Sequence, residues 1–230
     1  MILPPRSYAG GEASDITALE WASWPDFCKA AIAASAWSIN TPHTKSVDPK
    51  WVRKFRATHN ERVGIRGAHH FCLGMVYINR ALGEVDAKRR IKMMERSINE
   101  IQYSFSRMSS DAPRYSIVTA YLGKAYYGSQ QRGRAFSTWK DGVAMKPASP
   151  ESYLAYAEAL FAEEKYDEAL TLLMQFDKFK TDHHPEVEYF LGHIYFKLGR
   201  YDAARDHADK AYALGYNLPG LHNKLRSVGK

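Results

Sequence analysis

Little in this sequence offers chemistry. Two cysteines, Cys28 and Cys72, stand among 230 residues, too few to staple a fold of this size; at most they form one bridge. No apolar run approaches the roughly 18 residues that a membrane-spanning helix requires. The longest, Ala30 to Trp37, is short and carries Ser35. Phosphate-cradling Gly loops, a HExxH helix, a GxSxG elbow, CxxC pairs and an EF-hand loop are all missing. Carboxylate neighbours such as Glu163-Glu164 lie beside a turn signal and read as solvent-facing, not catalytic. With 45% apolar and 25% charged residues the composition excludes collagen, disorder and a disulfide-dense miniprotein.

Charge is the next clue. Thirty-two Lys and Arg against 25 Asp and Glu leave +7. The excess is uneven: residues 1–115 hold 17 basic and 11 acidic side chains, whereas the remainder holds 15 and 14. The positive field of the first half bears on partners, not on fold. An anionic partner is compatible with it and not demanded by it.

What the sequence does have is a repeat. Leu122-Gly123 precedes Tyr126, then Ala135, Trp139 and Pro147. Tyr156-Ala157 precedes Leu160, then Ala169, Leu173 and Phe176; Leu191-Gly192 precedes Tyr195, then Ala204, Ala208 and Ala211. Counted on Gly123, Ala157 and Gly192, the units begin 34 and then 35 residues apart. A small residue lets two helices approach closely, and a large one three places on fills the seam between them. Turn signals separate the helices at Gln131-Arg132-Gly133, Glu163-Glu164-Lys165 and Lys197-Leu198-Gly199, and Pro147, Pro150 and Pro185 punctuate the units.

This pattern resembles the tetratricopeptide repeat (TPR) family over residues 116 to about 216. The resemblance implies an all-α, right-handed solenoid of antiparallel helix pairs. A distorted upstream unit begins at Leu73-Gly74 and Tyr77, takes Ala81-Leu82-Gly83 as its turn, and has a long second helix. There Ile91, Met94, Ile98, Ile101, Phe105 and Met108 keep one apolar stripe, opposite Lys88, Arg89, Lys92 and Arg96. That charge run reads as a solvated face, with an anionic docking surface as the second reading.

Ahead of the repeats, Asp15 to Ser23 reads as a short helix, Pro25 opens another running to Trp37, and Thr41 to Thr44 is a loop. Asp48-Pro49 caps a helix holding Trp51 and Phe55. Leu218, Leu221, Leu225 and Val228 mark a lid for the last hairpin, whose apolar face would otherwise be open. The expected division is 1–13 an unstructured tail, 14–62 an N-terminal extension, 63–110 the degenerate hairpin, 111–217 three TPR units, and 218–230 a capping helix.

His69-His70-Phe71-Cys72 could ligate zinc or form a reactive thiol. Neighbours on a helix point about 100° apart, however, so a structural role is the better reading. His183-His184 before Pro185 reads equally well as a helix start. Neither a metal nor a cofactor is implied.

Trp24-Pro25-Asp26-Phe27-Cys28, His69-His70-Phe71-Cys72-Leu73-Gly74 and Asn79-Arg80-Ala81 are similar to segments that precede the repeats in a group of exported bacterial TPR proteins. That likeness implies a periplasmic setting and a Cys28–Cys72 disulfide tying the extension to the first hairpin; two buried free thiols in a cytoplasmic protein are the alternative. An N-terminal Met directly before a Pro- and Gly-rich tail would fit a chain trimmed of a signal peptide.

TPR proteins work through the concave face of their first helices. Carried onto this chain, that face takes Phe71, Met75 and Asn79, then Lys124 and Tyr127, then Glu158 and Phe161, then Tyr189, His193 and Phe196. Aromatic anchors among a few charges suit a peptide or protein segment; several of them equally suit packing between repeats. The Lys/Asn/Arg set of chaperone-tail binders is missing: Ala120, Ala155, Glu186 and Phe190 stand where it would be needed. The expectation is a non-catalytic scaffold or assembly factor for another protein, in an envelope complex such as a pilus or polysaccharide exporter. The rival is a nucleic-acid-binding helical repeat using the basic first half.

Overall fold

The computed structural model describes residues 16–35, 42–57, 65, 67–145, 148–177 and 184–229. Among these residues the secondary structure is entirely helical, as the sequence predicts: α1 (Ala18–Ser23), α2 (Asp26–Ala34), a 3-10 helix (Pro42–Ser46), α3 (Pro49–Ala57), α4 (Ala68–Gly83), α5 (Ala87–Phe105), α6 (Tyr115–Gly128), α7 (Arg132–Val143), α8 (Pro150–Ala162), α9 (Tyr166–Asp177), α10 (Pro185–Lys197), α11 (Tyr201–Ala213) and α12 (Gly220–Ser227). The tail, Trp37, Thr41, Pro147 and His183, each given a reading from sequence, lie outside the described residues. The chain forms two compact units, Met1–Val118 with Gly128–Gln130, and Thr119–Tyr127 with Gln131–Lys230.

In the first unit, α1 starts at Ala18, later than expected, because Thr17 and Glu20 form a capping box. The Thr17 hydroxyl accepts the Glu20 N–H at 3.2 Å, and the Glu20 carboxylate accepts the Thr17 N–H at 2.8 Å. The same carboxylate receives Arg80 of α4 through Nε at 2.6 Å and through the second guanidinium nitrogen at 3.0 Å. This clamp, followed by the Thr17 hydrogen bonds, holds the Glu20 carboxyl down at about 2. A Cys28–Cys72 disulfide joins α2 to α4. Asp48 opens α3 by accepting the Lys50 N–H at 2.7 Å. The Thr41–Thr44 loop is corrected in part: Pro42 to Ser46 forms a 3-10 turn.

The α4–α5 hairpin is tight for a stated reason. A side chain on Gly74 would collide with Ile101 and meet the Ser97 carbonyl at 3.2 Å. Ser97, itself buried, donates to the Gly74 carbonyl at 2.8 Å, and Ser104 donates to the Gly67 carbonyl at 2.7 Å. Met94, Ile98 and Ile101 fill the seam. Two sequence expectations change here. Ala81-Leu82-Gly83 stays inside α4, with the turn at 84–86, and α5 ends at Phe105 before Met108.

In the second unit the repeat is visible in the backbone. The residue before each second helix is reached through a left-handed residue: Gln130 (φ 67°), Glu164 (φ 61°) and Gly199 (φ 71°). After each, an N–H returns to a carbonyl five residues back, from Gln131 to Tyr126, Lys165 to Leu160 and Arg200 to Tyr195, every one at 2.9 Å. These are the same helix C-cap made three times.

The small residues sit at the crossings. A Cβ on Gly123 would run into the Trp139 indole, whose N–H donates to the Ala120 carbonyl at 3.1 Å. Ala157 and Ala169 are fully buried with Leu160, Leu173 and Phe176. A Cβ on Gly192 would lie 3.1 Å from the Ala204 carbonyl and 2.5 Å from Leu221. Leu221 and Leu225 of α12 pack on Ala204 and Ala208, each burial contributing about 2 kcal/mol. The lid is shorter than predicted: Leu218 and Val228 flank α12 and are exposed.

Candidate functional site

The second unit offers the best-formed surface, on its first helices α6, α8 and α10. Lys124 of α6 meets Glu158 of α8 at 2.9 Å. Glu163, at the end of α8, accepts the Tyr127 hydroxyl at 3.1 Å and pairs with Arg132 at 3.2 Å, so it is not a purely solvent-facing carboxylate. Tyr127 lies against Trp139 and edge-on to Phe136. Phe161 packs between Tyr166 and Phe190, with ring centres 5.1 and 5.4 Å away. Phe196 packs on Tyr201. Tyr127, Phe161 and Phe196 therefore spend much of their surface on neighbouring helices.

Tyr189 sits in an aromatic group, 4.2 Å from Tyr216 and 4.7 Å from His193 by ring centre. Lys224 of α12 approaches the His193 ring at 3.4 Å. Burial first, and then this ammonium, push the His193 imidazole down to about 4, so it is neutral at pH 7. Burial also raises the Tyr121 phenol, with the carboxylates of Glu151 and Glu158 adding to it. The Tyr216 phenol is raised by burial, then by Glu186, Tyr212 and Glu158. The interactions trace one strip: Tyr121 and Lys124, then Glu151 and Glu158, then Glu186, Tyr189 and His193, with Tyr216 beside them. Glu151, Glu158 and Glu186 are all exposed.

Tyr121 and Tyr216 were not among the residues expected from the repeat positions. Tyr121 is displaced from those positions on α6. Tyr216 belongs to the connection between α11 and α12, where helical register gives no guide.

In the first unit the carried-over positions fare differently. Phe71 is fully buried, with Phe27 of α2 stacked on it at 6.2 Å, and Met75 is buried one turn on. These two are corrected: α2, bonded through Cys28 to the neighbouring Cys72, covers the face of α4 that the repeat pattern would leave open. Asn79 is exposed. His70 hydrogen-bonds Glu100 at 2.6 Å and lies 3.9 Å from the Tyr103 ring centre, a structural placement. Among the described residues no three His, Cys, Asp or Glu side chains converge in a way that could hold a metal ion. A shallow cleft of about 370 Å³ lies on α8 and α9, lined by Tyr156, Asp167, Glu168 and Thr171, and shares none of the strip's residues.

Residues 134–211, from within α7 to within α11, match the family model described as "Anaphase-promoting complex, cyclosome, subunit 3", a TPR-like repeat family. The chain is a TPR protein. No curated protein matches it. TPR-type repeats serve in general as protein-interaction scaffolds without catalytic activity. The match covers the second unit's hairpins, where the strip lies; the first unit, with its disulfide and buried serines, is outside it.

Proposed function

We propose that this TPR protein is a scaffold or assembly factor that holds a segment of another protein along the first helices of its second unit, and that it catalyses no reaction itself. The observation that carries this reading is the strip from Tyr121 to Tyr216: after the repeats have packed, it keeps aromatic faces and carboxylates accessible at successive repeats. Aromatic anchors in such strips supply most of the energy of peptide recognition. The groove positions Lys124, Glu158, Tyr189 and His193 belong to it.

An exported, periplasmic setting, and service in an envelope complex such as a pilus or polysaccharide exporter, is the finer form of the proposal. The Cys28–Cys72 bridge supports it, since disulfides persist in oxidising compartments. Among the described residues no helix is long and apolar enough to cross a membrane. The nucleic-acid reading has the basic first half in its favour, and the carboxylates of the strip against it.

A photo-crosslinking residue placed at Glu151 or Glu186 in the producing organism tests this. The expected result is a discrete crosslinked polypeptide from these positions and none from Glu168 or Asp206 on the second helices. Equal labelling from all four positions, or crosslinks to nucleic acid, would overturn it.

A further inference from the structure

The basic excess of the first unit is concentrated on one small element. In α3, Val52 and Phe55 are half-buried, while Lys50, Arg53 and Lys54 are exposed. Between them stands Trp51, 47% exposed, with the Lys54 ammonium 5.2 Å from its ring centre. Lys45 of the preceding 3-10 helix is exposed as well. The one carboxylate of this stretch, Asp48, is engaged as the cap of α3. The basic run of α5 differs. There Arg89 pairs with Glu84 at 3.5 Å, Arg96 lies over Tyr77, and Glu95 interrupts the row.

Cations around an open indole match one kind of surface closely. Indole rings settle at the boundary between lipid headgroups and acyl chains. Lysine and arginine are drawn to anionic headgroups, each gaining about five-fold in partitioning. We propose that α3 is a docking face for an anionic phospholipid surface, with Trp51 entering the headgroup boundary while Lys45, Lys50, Arg53 and Lys54 engage phosphates. A helix of nine residues inserts shallowly and needs a rigid mount. It packs against α2, and α2 is bonded to α4 by Cys28–Cys72. Single-stranded nucleic acid is bound by the same residue types. The disulfide decides between the two: it belongs to an oxidising compartment, where phospholipid is the polyanionic surface at hand.

The test is co-sedimentation of the full-length oxidised protein with phosphatidylcholine vesicles, with and without phosphatidylglycerol. Binding is expected only with phosphatidylglycerol, weakening as salt rises and not displaced by inorganic phosphate. Lys50→Gln, Arg53→Gln and Lys54→Gln combined should reduce it about a hundred-fold, with the circular dichroism spectrum unchanged. Trp51→Ala should reduce it less, and Lys88→Gln with Lys92→Gln on α5 should leave it intact. No binding to phosphatidylglycerol vesicles, equal loss in the α5 variant, or an α3-dependent affinity for oligonucleotides without vesicle binding would each overturn the assignment.

Discussion

Replacing Cys28 and Cys72 together by alanine removes a crosslink between residues 44 apart in sequence. Closing a loop of that size removes about 13 cal/mol/K of entropy from the unfolded chain, or about 4 kcal/mol at 25 °C. Both sulfurs are fully buried, so the alanines also leave a small void, adding about 1 kcal/mol. The loss should concentrate in α2, whose other buried side chains are Ala30, Ala31 and Ile32. Small side chains hold a helix weakly, and the bond to α4 is its main tether. Amide hydrogen exchange read by mass spectrometry should show protection in residues 26–34 falling about a thousand-fold, the equivalent of 4 kcal/mol. Protection within ten-fold of the parent protein would refute the reasoning. So would two alkylatable thiols in the unreduced native protein.

Three further outcomes follow from particular contacts. The Glu20 carboxyl titrates at about 2 in the folded chain against 4.5 unperturbed. Its pairing therefore stabilises at pH values above 4.5 and is lost as pH falls towards 2, a contribution of about 2–3 kcal/mol. Arg80→Met should flatten the acid limb of thermal unfolding over that interval, and an unchanged limb would count against the clamp. Glu164→Gly, which relieves a left-handed residue where the next repeat already has Gly199, should raise the urea midpoint by about 0.5–1 kcal/mol; a lowered midpoint would contradict this. Gly123→Ala should cost about 2 kcal/mol through the Trp139 indole, and less in a Trp139→Phe background. A double-mutant cycle with no coupling would show the two residues to be independent.

Where a position repeats, sequence shows it; where it is used once, sequence does not. Gly123, Ala157 and Gly192 could be placed at crossings because three copies of one spacing require three copies of one contact. Buried serines give no such signal. Ser97 and Ser104 interrupt the apolar stripe of α5, and only the coordinates show each hydroxyl turned onto a carbonyl of the α4 segment. Glu188 is similar, almost fully buried and matched by His207 at 2.7 Å. The candidate site was legible in the same measure. Lys124, Glu158, Tyr189 and His193 follow from repeat register, whereas Tyr216 enters from a connection. Phe71 and Met75 failed because register describes a helix pair alone, and α2 lies over that pair.

The hairpin closures carry a lesson about how this chain can change. Each is made by one amide returning to one carbonyl, and neither group belongs to a side chain. Substitution within a bend is therefore tolerated, as the differing occupants Gln130, Glu164 and Gly199 attest. An inserted residue would instead rotate every following helix by about 100° and turn the buried edge outward. Evolution can freely respell such a joint, but it can lengthen or shorten the array only by whole hairpins.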